Sequence, residues 1–147
     1  MPRIQRKSFA MKPNDVQRSW FLIDADQLSL GKLAVRVAKI LSGKEKPEYT
    51  SGVDTGDYVV VTNARAVTMS GNKSEQKYFR YHTGYVGGLR EISYGKLMES
   101  KPEKVVELAI KRMLPKNKLG QSMFKRLKVY SDGEHPHTAQ GPVTIGL

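Results

Sequence analysis

The chain has 147 residues, no cysteine and a formal net charge of +11, because 25 lysines and arginines stand against 14 aspartates and glutamates. This length fits one domain with a substantial hydrophobic core, and the lack of cysteine excludes disulfides, thiolate nucleophiles and cysteine-based zinc sites. The excess of positive charge favours binding to nucleic acid or to an anionic membrane surface, but no apolar run reaches the roughly 20 residues that span a bilayer, and the N-terminus shows no signal-peptide core.

Residues 1–18 are predicted to form a basic N-terminal arm. Its cations include Arg3, Arg6 and Lys7, and Asp15 is its one acid. Two prolines interrupt any helix in this segment. An arm of this kind could become ordered on a phosphate backbone, or it could be a frayed terminus, and the sequence leaves both interpretations open.

A strand, a helix and a second strand are predicted next. Residues 20–23 form a continuous apolar run typical of a buried strand, and a turn with Ser29 as a possible N-cap follows. Leu30–Ser42 places apolar residues on one face of a helix and a basic stripe on the other. Tyr58–Thr62 is β-branched and apolar, as in a strand buried on both sides. This order predicts a parallel βαβ unit.

The middle of the chain is predicted to contain short strands and a glycine-rich loop. Residues 67–70 and 78–81 are candidate strands on either side of a turn at 71–73. Residues 80–90 combine three glycines with tyrosines and arginines. In an RNA-binding protein such a loop could stack aromatic rings on bases and admit the sugar-phosphate chain.

The C-terminal third is predicted to be mainly helical and strongly basic. A short helix is expected at 93–99, and a capping box at 100–103 is expected to start a helix that runs to about Leu114. Its predicted buried stripe is Val106, Ala109, Ile110 and Met113. A basic helix at 119–125, a strand at 127–130 and an irregular segment from 132 to 147 are expected to follow. No acid occurs between Leu108 and Ser131, so this segment is expected to face a polyanion.

Three short motifs match other chemistries weakly. Residues 54–56 form the Asp-Thr-Gly triplet of aspartic proteases, which need two such loops. The glycines at 84–88 lack the Gly-Lys-Ser/Thr ending of a phosphate-binding loop. His135 and His137 could suggest a metal, but His82 is the only other histidine and four-coordinate zinc needs more ligands. Imidazoles that bond RNA or the protein's own backbone are the favoured interpretation.

An ordered set of motifs runs through most of the chain. They are LGKLA (30–34), VDTGDYVVV (53–61), SGNK (70–73), HTGYVGG (82–88), MLPKNKLG (113–120), LKVY (127–130) and EHPH (134–137). Together they resemble the bacterial type of large-subunit ribosomal protein thirteen. The resemblance implies a single three-layer α/β/α domain with a mainly parallel sheet of about four strands. It also implies binding to large-subunit (23S-type) rRNA, early entry into subunit assembly and no catalysis.

These inferences define the expected organisation and partners. The expected segments are a basic arm (1–18), an α/β rRNA-binding domain (19–131) and an irregular C-terminal extension (132–147). The expected partners are large-subunit rRNA and neighbouring large-subunit ribosomal proteins, with no membrane, small-molecule substrate, cofactor or metal. The ribosome of the cytoplasm is the expected location, with an organellar matrix or stroma left open.

The candidate rRNA contacts are the cations and histidines of the basic segments. They are Arg3, Arg6, Lys7, Lys32, Arg36, Lys39, Lys44, Lys46, Lys73, Arg80, His82, Arg90, Lys111, Lys116, Lys118, Lys125, Arg126, Lys128, His135 and His137. Two rival hypotheses remain: an enzyme that holds a nucleotide at its glycine-rich loop, and an interaction module whose basic face meets an acidic protein.

Overall fold

The computed structural model describes residues 9–26 and 28–146. The predicted rRNA contacts Arg3, Arg6 and Lys7 lie outside these ranges. In chain order the strands and α-helices are β1 (Trp20–Asp24), α1 (Leu30–Ser42), β2 (Tyr58–Thr62), α2 (Lys73–Gln76), β3 (Tyr78–His82), β4 (Leu89–Ser93), α3 (Tyr94–Ser100), α4 (Pro102–Met113), α5 (Lys118–Lys125), β5 (Leu127–Val129) and β6 (Val143–Thr144). Among the described residues, no helix combines the length and apolar character that a membrane crossing requires.

The predicted βαβ unit lies at the centre of the fold. Strands β1 and β2 are parallel, with Trp20 opposite Tyr58, and α1 connects them. Strands β5 and β6 pair in parallel with β2 and β1, which gives a four-stranded sheet in the order β5-β2-β1-β6. The prediction of a single α/β domain with a parallel sheet flanked by helices is therefore confirmed.

Helix α1 begins and ends where the sequence predicts. Gly43 follows its last residue with a φ of 74°, and the Gly43 N–H donates to the Ile40 carbonyl at 3.0 Å. This left-handed conformation favours glycine, and a side chain there would collide with Thr55. Ser29 is the N-cap residue, but its side chain makes no capping hydrogen bond; its backbone bridges to Thr68 instead.

The core lies between one face of the sheet and helices α1 and α4. Side chains alternate across a strand, so Ile23, Val59 and Val61 point to the same face, where they join Val37 and Ile110 in the main apolar cluster. The residues between them point to the opposite face. There the rings of Trp20 and Tyr58 stack at 4.4 Å, and His137 from a short 3-10 helix lies 5.2 Å from Trp20.

A β-hairpin contains the predicted strand at 78–81, which is confirmed as β3, and it takes up much of the predicted glycine-rich loop. Strands β3 and β4 form an antiparallel pair in which Tyr78 faces Ser93 and His82 faces Leu89. The strand prediction at 67–70 is wrong, because this stretch makes only the bridge at Thr68. The loop that connects the two strands is Thr83–Gly88, and the Thr83 N–H donates to the Gly88 carbonyl at 3.0 Å.

Two further local predictions about the C-terminal third are wrong. Ser100 does not cap α4, because it ends α3 and its hydroxyl donates to the Lys96 carbonyl at 3.0 Å. Met113 does not belong to the buried stripe of α4, since Val105 takes a core position and the Met113 side chain faces out. Beyond these points, α3, α4, α5 and β5 lie close to their predicted positions.

The segment predicted to be irregular contributes an edge strand. Only Val143 and Thr144 form β6, and the Ile145 N–H donates to the Leu22 carbonyl at 2.9 Å. A strand of two residues has too few positions to show an alternating pattern, so the sequence carries no signal for it. Residues 132–146 are thus attached to the sheet through β1.

A buried ion pair joins α5 to the loop before β2. Arg126 is buried and pairs with the Asp54 carboxylate. Its guanidinium also donates to the Leu41 carbonyl at 3.0 Å and the Asp57 carbonyl at 3.3 Å. Because the guanidinium is enclosed by protein acceptors, the prediction that Arg126 contacts rRNA is corrected. The same ion pair occupies the Asp54 carboxylate, so the Asp-Thr-Gly triplet has a structural role in this fold.

We expect Arg126→Ala to lower the free energy of unfolding by about 3–5 kcal/mol, because the mostly buried Asp54 would keep only Arg18, whose guanidinium lies 3.9 Å from its carboxylate. Urea denaturation followed by circular dichroism measures this change. Arg112→Ala, at an exposed position of α4, is the control, with an expected change within about 0.5 kcal/mol. Equal stabilities of the two variants would show that the pair does not hold the fold.

Candidate nucleic-acid interface

The outward face of α1 carries the predicted basic stripe. Lys32 and Lys39 are exposed, and Arg36 lies between them along the helix. Arg36 pairs with Glu45 beyond the end of the helix. This pair modifies the prediction of a basic stripe, because Arg36 is partly neutralised, whereas Lys32 and Lys39 form no ion pair among the described residues.

The loop between α4 and α5 lies beside this stripe. Pro115 interrupts the helical backbone, and the Asn117 side chain starts α5 by accepting a hydrogen bond from the Gly120 N–H at 2.8 Å. The backbone approaches closely here, because a Cβ at Gly120 would lie 1.8 Å from the Pro115 carbonyl oxygen. Glycine at this position therefore fixes how the loop folds onto α5.

Four adjacent concavities share lining residues and form one continuous surface, here called the basic face. The concavity at the N-terminal end of α1 shares Gly31 with the concavity along the outward face of α1. That concavity shares Lys39 with the one between α1 and the α4–α5 loop, which shares Asn117 with the one between that loop and α5. The cations that line it are Lys32, Arg36, Lys39, Lys44, Lys73, Lys77, Lys111, Lys116 and Lys125. Within the described part of the chain, no aspartate or glutamate lines any of the four concavities. The fold thus gathers charges from α1, α2, α4 and α5 on one side.

The basic face contains residues that the sequence did not single out. Lys77 follows α2 and lies 4.9 Å above the Tyr94 ring. Val35, Tyr49 and Asn117 also line the face. The sequence shows Val35 among the basic residues of the outward face of α1, but a single exposed apolar residue is common on protein surfaces and does not mark a site by itself. Tyr49 lies in a loop and carried no signal of a site.

Several predicted contacts lie elsewhere or are occupied. Lys46 donates to the Asp57 carboxylate at 2.7 Å and to the Gln17 carbonyl at 2.8 Å. Lys128 lies on the edge strand β5 opposite Val60 and is half-buried. Lys118 is exposed at the start of α5 but lines none of the four concavities.

Three of the predicted rRNA contacts lie on the β3–β4 hairpin and do not line the basic face. Arg80 pairs with Glu91, and Arg90 stands opposite Tyr81 on the neighbouring strand. His82 accepts a hydrogen bond at Nδ1 from the Gly84 N–H at 2.9 Å. At the tip, the Tyr85 side chain is 80% exposed. The hairpin therefore presents an aromatic tip with cations along its strands.

His137 packs against the face of the sheet that carries Trp20, and the His135 ring lies beside the His137 ring. The His137 Nε2 atom is 2.8 Å from the Tyr130 hydroxyl, and the His137 N–H donates to His135 Nδ1 at 3.2 Å. Within the described residues, no group of three or more histidines, aspartates or glutamates is arranged to hold a metal ion. His137 is engaged in packing the C-terminal segment.

The fold changes the pKa of Glu107 on α4. Burial raises its pKa above the ordinary value, and Glu103 raises it further, while Lys104 and Lys111 act in the opposite direction. An acid with a raised pKa binds more protons in the folded state than in the unfolded state. Its contribution to stability is therefore complete below the unfolded-state pKa and is lost as pH rises through the folded-state pKa.

We expect Glu107→Gln to increase the free energy of unfolding at pH 7, because the glutamine removes the cost of ionising a partly buried carboxyl. The advantage over the original chain should shrink as pH falls through the raised folded-state pKa, and it should be absent below about 4, where the glutamate is protonated in both states. Urea denaturation at several pH values measures it. Glu99→Gln, at an exposed position of α3, is the control. A pH-independent difference would contradict the effect.

Sequence comparison decides the family. The family model described as Ribosomal protein L13 matches residues 18–136. The chain belongs to the ribosomal protein L13 family. The resemblance that the motifs indicated is therefore confirmed, and the match begins where the basic arm ends. This family consists of ribosomal proteins and not of enzymes, in agreement with the prediction of no catalysis.

Related proteins align with this chain over nearly its whole length. The chain is 59% identical to "Large ribosomal subunit protein uL13" of Caldanaerobacter subterraneus subsp. tengcongensis over 141 residues, which cover 96% of this chain and 99% of the relative. Proteins with the same name from Thermoanaerobacter sp. (strain X514) and Clostridioides difficile are 57% and 55% identical with the same coverage. These relatives are of the bacterial type that the motifs indicated.

Proposed function

We propose that this protein is a structural constituent of the large ribosomal subunit, where it binds large-subunit rRNA through the basic face and stabilises the fold of that RNA. The observation that carries the proposal is the basic face itself. It gathers cations from four helices around joined concavities with no acidic residue in their lining. Membership of a ribosomal protein family supports the same conclusion.

The mechanism is electrostatic and geometric. A folded RNA concentrates phosphates where its helices approach one another, and lysines on a rigid surface neutralise them. Lys39 and Lys44 line the concavity between α1 and the α4–α5 loop, and Lys111, Lys116 and Lys125 line the adjacent concavity beyond that loop. A surface of this kind can therefore hold two phosphate chains at a fixed separation. Recognition then depends mainly on the shape of the RNA.

The proposed contacts fall into two groups. Lys32, Lys39, Lys44, Lys73, Lys111, Lys116 and Lys125 form the centre of the site, together with Lys77. Arg90, Lys118 and the hairpin tip form a second contact, which Arg80 and His82 support from within the hairpin. The arm cations at 3, 6 and 7 remain proposed contacts on the basis of charge alone, and His135 remains one as part of the EHPH motif that carries the resemblance.

The proposed organisation keeps a basic arm, a domain at 19–131 and a C-terminal extension. The described part of the arm touches the domain, since the Met11 N–H donates to the Thr50 hydroxyl at 3.1 Å and Arg18 donates to the Asp54 carbonyl at 3.3 Å. Neighbouring large-subunit ribosomal proteins are proposed as the other partners.

We expect the double variant Lys32→Gln, Lys39→Gln to bind large-subunit rRNA fragments more weakly, with the slope of log affinity against log salt reduced by roughly 1.5, because two phosphate contacts are lost. Filter binding across a salt series measures this, with small-subunit rRNA as competitor. Both side chains are exposed, so the fold should be unchanged by circular dichroism.

The matched control for this experiment is Lys96→Gln, Lys101→Gln, which removes the same charge from exposed positions in and next to α3. Its salt slope should equal that of the original chain. Equal slopes for both double variants would remove the α1 stripe from the site. Equal affinity for large-subunit and small-subunit rRNA would contradict the ribosomal proposal and leave a general polyanion binder.

Early entry into assembly is the finer part of the proposal. A protein that neutralises phosphates between RNA helices acts before those helices close on one another, so we expect it in early large-subunit precursors. Quantitative mass spectrometry of gradient-separated precursors measures its occupancy. We expect occupancy in the lightest precursor close to that in the mature subunit. Occupancy that rises only in late precursors would contradict this order of addition.

A further inference from the structure

The largest concavity of the basic face has an apolar interior. It lies between α1 and the α4–α5 loop, has a volume of about 510 Å³ and is here called the α1–α5 groove. Val35, Tyr49 and Met113 line it with side chains that are 43%, 40% and 47% exposed, while Leu119 and Met123 are more deeply placed. Several large apolar side chains therefore share one opening in the most basic part of the protein.

The fold itself does not explain this arrangement. Val35 stands between Lys32 and Lys39 on the outward face of α1, and Met113 is the last residue of α4 with its side chain turned away from the core. Exposed apolar groups that converge in a concavity indicate a ligand that covers them. A purely electrostatic surface for phosphates would have polar residues at these positions.

The rim of the groove defines the chemistry of that ligand. Lys39 and Lys44 line it, as does Asn117, whose amide NH₂ takes no part in the hydrogen bond that starts α5. Basic residues continue on both sides, since Lys32 lines the neighbouring concavity along α1 and Lys116 lines the one beyond the α4–α5 loop. A chain with regularly spaced negative charges could thus enter and leave the groove while remaining neutralised.

We propose that the α1–α5 groove receives the base of an unpaired nucleotide of the bound RNA. The base packs against Val35, Met113 and Tyr49, and the adjoining phosphates pair with Lys39 and Lys44. A nucleotide combines a flat, weakly polar ring with a charged backbone, which matches an apolar interior within a basic rim. The inference rests on the proposed function, because it names the element of the RNA that the same surface binds.

The first experiment measures rRNA binding by uncharged variants of the groove. We expect Tyr49→Ala and Val35→Asn each to weaken affinity for a large-subunit rRNA fragment about tenfold, as loss of base stacking and apolar contact does. The slope of log affinity against log salt should stay unchanged, because no charge is removed. Val143→Asn, an exposed valine on β6, is the matched control.

The outcomes of this experiment separate the two proposals. Unchanged affinity of both variants overturns the nucleotide proposal and leaves the basic face as a phosphate surface. Unchanged RNA affinity with reduced incorporation into subunits would assign the groove to a neighbouring protein, which also overturns it. Failure of the original chain to prefer large-subunit rRNA would instead contradict the proposed function. Thermal unfolding of each variant confirms that the fold persists, and Tyr49→Ala suffices if Val35→Asn unfolds.

A second experiment locates the base directly. Methyl NMR of the full chain, labelled at methionine, is recorded during titration with AMP and with ribose 5-phosphate. We expect AMP to shift the Met113 and Met123 methyl signals through the ring current of adenine, with a Kd of about 1–10 mM. Met98, which lines none of the four concavities of the basic face, is the internal control. No shift, or equal shifts with ribose 5-phosphate, would contradict insertion of the base.

Discussion

The buried guanidinium of Arg126 fixes the relation between α1 and the C-terminal half of the domain. It pairs with Asp54 and donates to the carbonyl oxygens of Leu41 and Asp57, so one side chain joins the end of α1, the loop before β2 and the start of β5. Close backbone contact reinforces this junction, because a Cβ at Gly56 would lie 1.8 Å from the Leu41 carbonyl oxygen. The candidate site depends on it, since the α1–α5 groove lies between the elements that Arg126 connects.

The sequence predicted features that depend on local patterns. The limits of α1 and the basic stripe at Lys32 and Lys39 follow from helical periodicity, and the parallel pairing of β1 with β2 follows from the order strand, helix, strand. The sequence did not reveal that Arg126 is buried, because its partner Asp54 is 72 positions away. Within a run of basic residues, the sequence does not distinguish a buried arginine from an exposed one.

The errors of interpretation have related causes. Strand β4 was hidden in a stretch with glycines, since its residues gain a strand conformation only by pairing with β3. The sequence placed Met113 in the core because of its spacing, but α4 ends there and its last side chain turns into the α1–α5 groove. The groove could not be predicted from periodicity, because it exists only where α1, the loop that carries Tyr49 and the α4–α5 loop meet.

The two kinds of cation are used differently in this fold. Within the described residues, Arg18, Arg36, Arg65, Arg80 and Arg126 all form ion pairs with carboxylates of the same chain, whereas Lys46 is the one lysine that does so. The planar guanidinium suits bidentate pairing with a carboxylate, and the ammonium group acts as a mobile point charge. The basic face is consequently lined mainly by lysines, with Arg36 as the one arginine among its described cations. The rigid donor fork of arginine suits bidentate contacts, whereas the lysine ammonium is a point charge, so a surface lined mainly by lysines favours recognition of how phosphates are arranged in space.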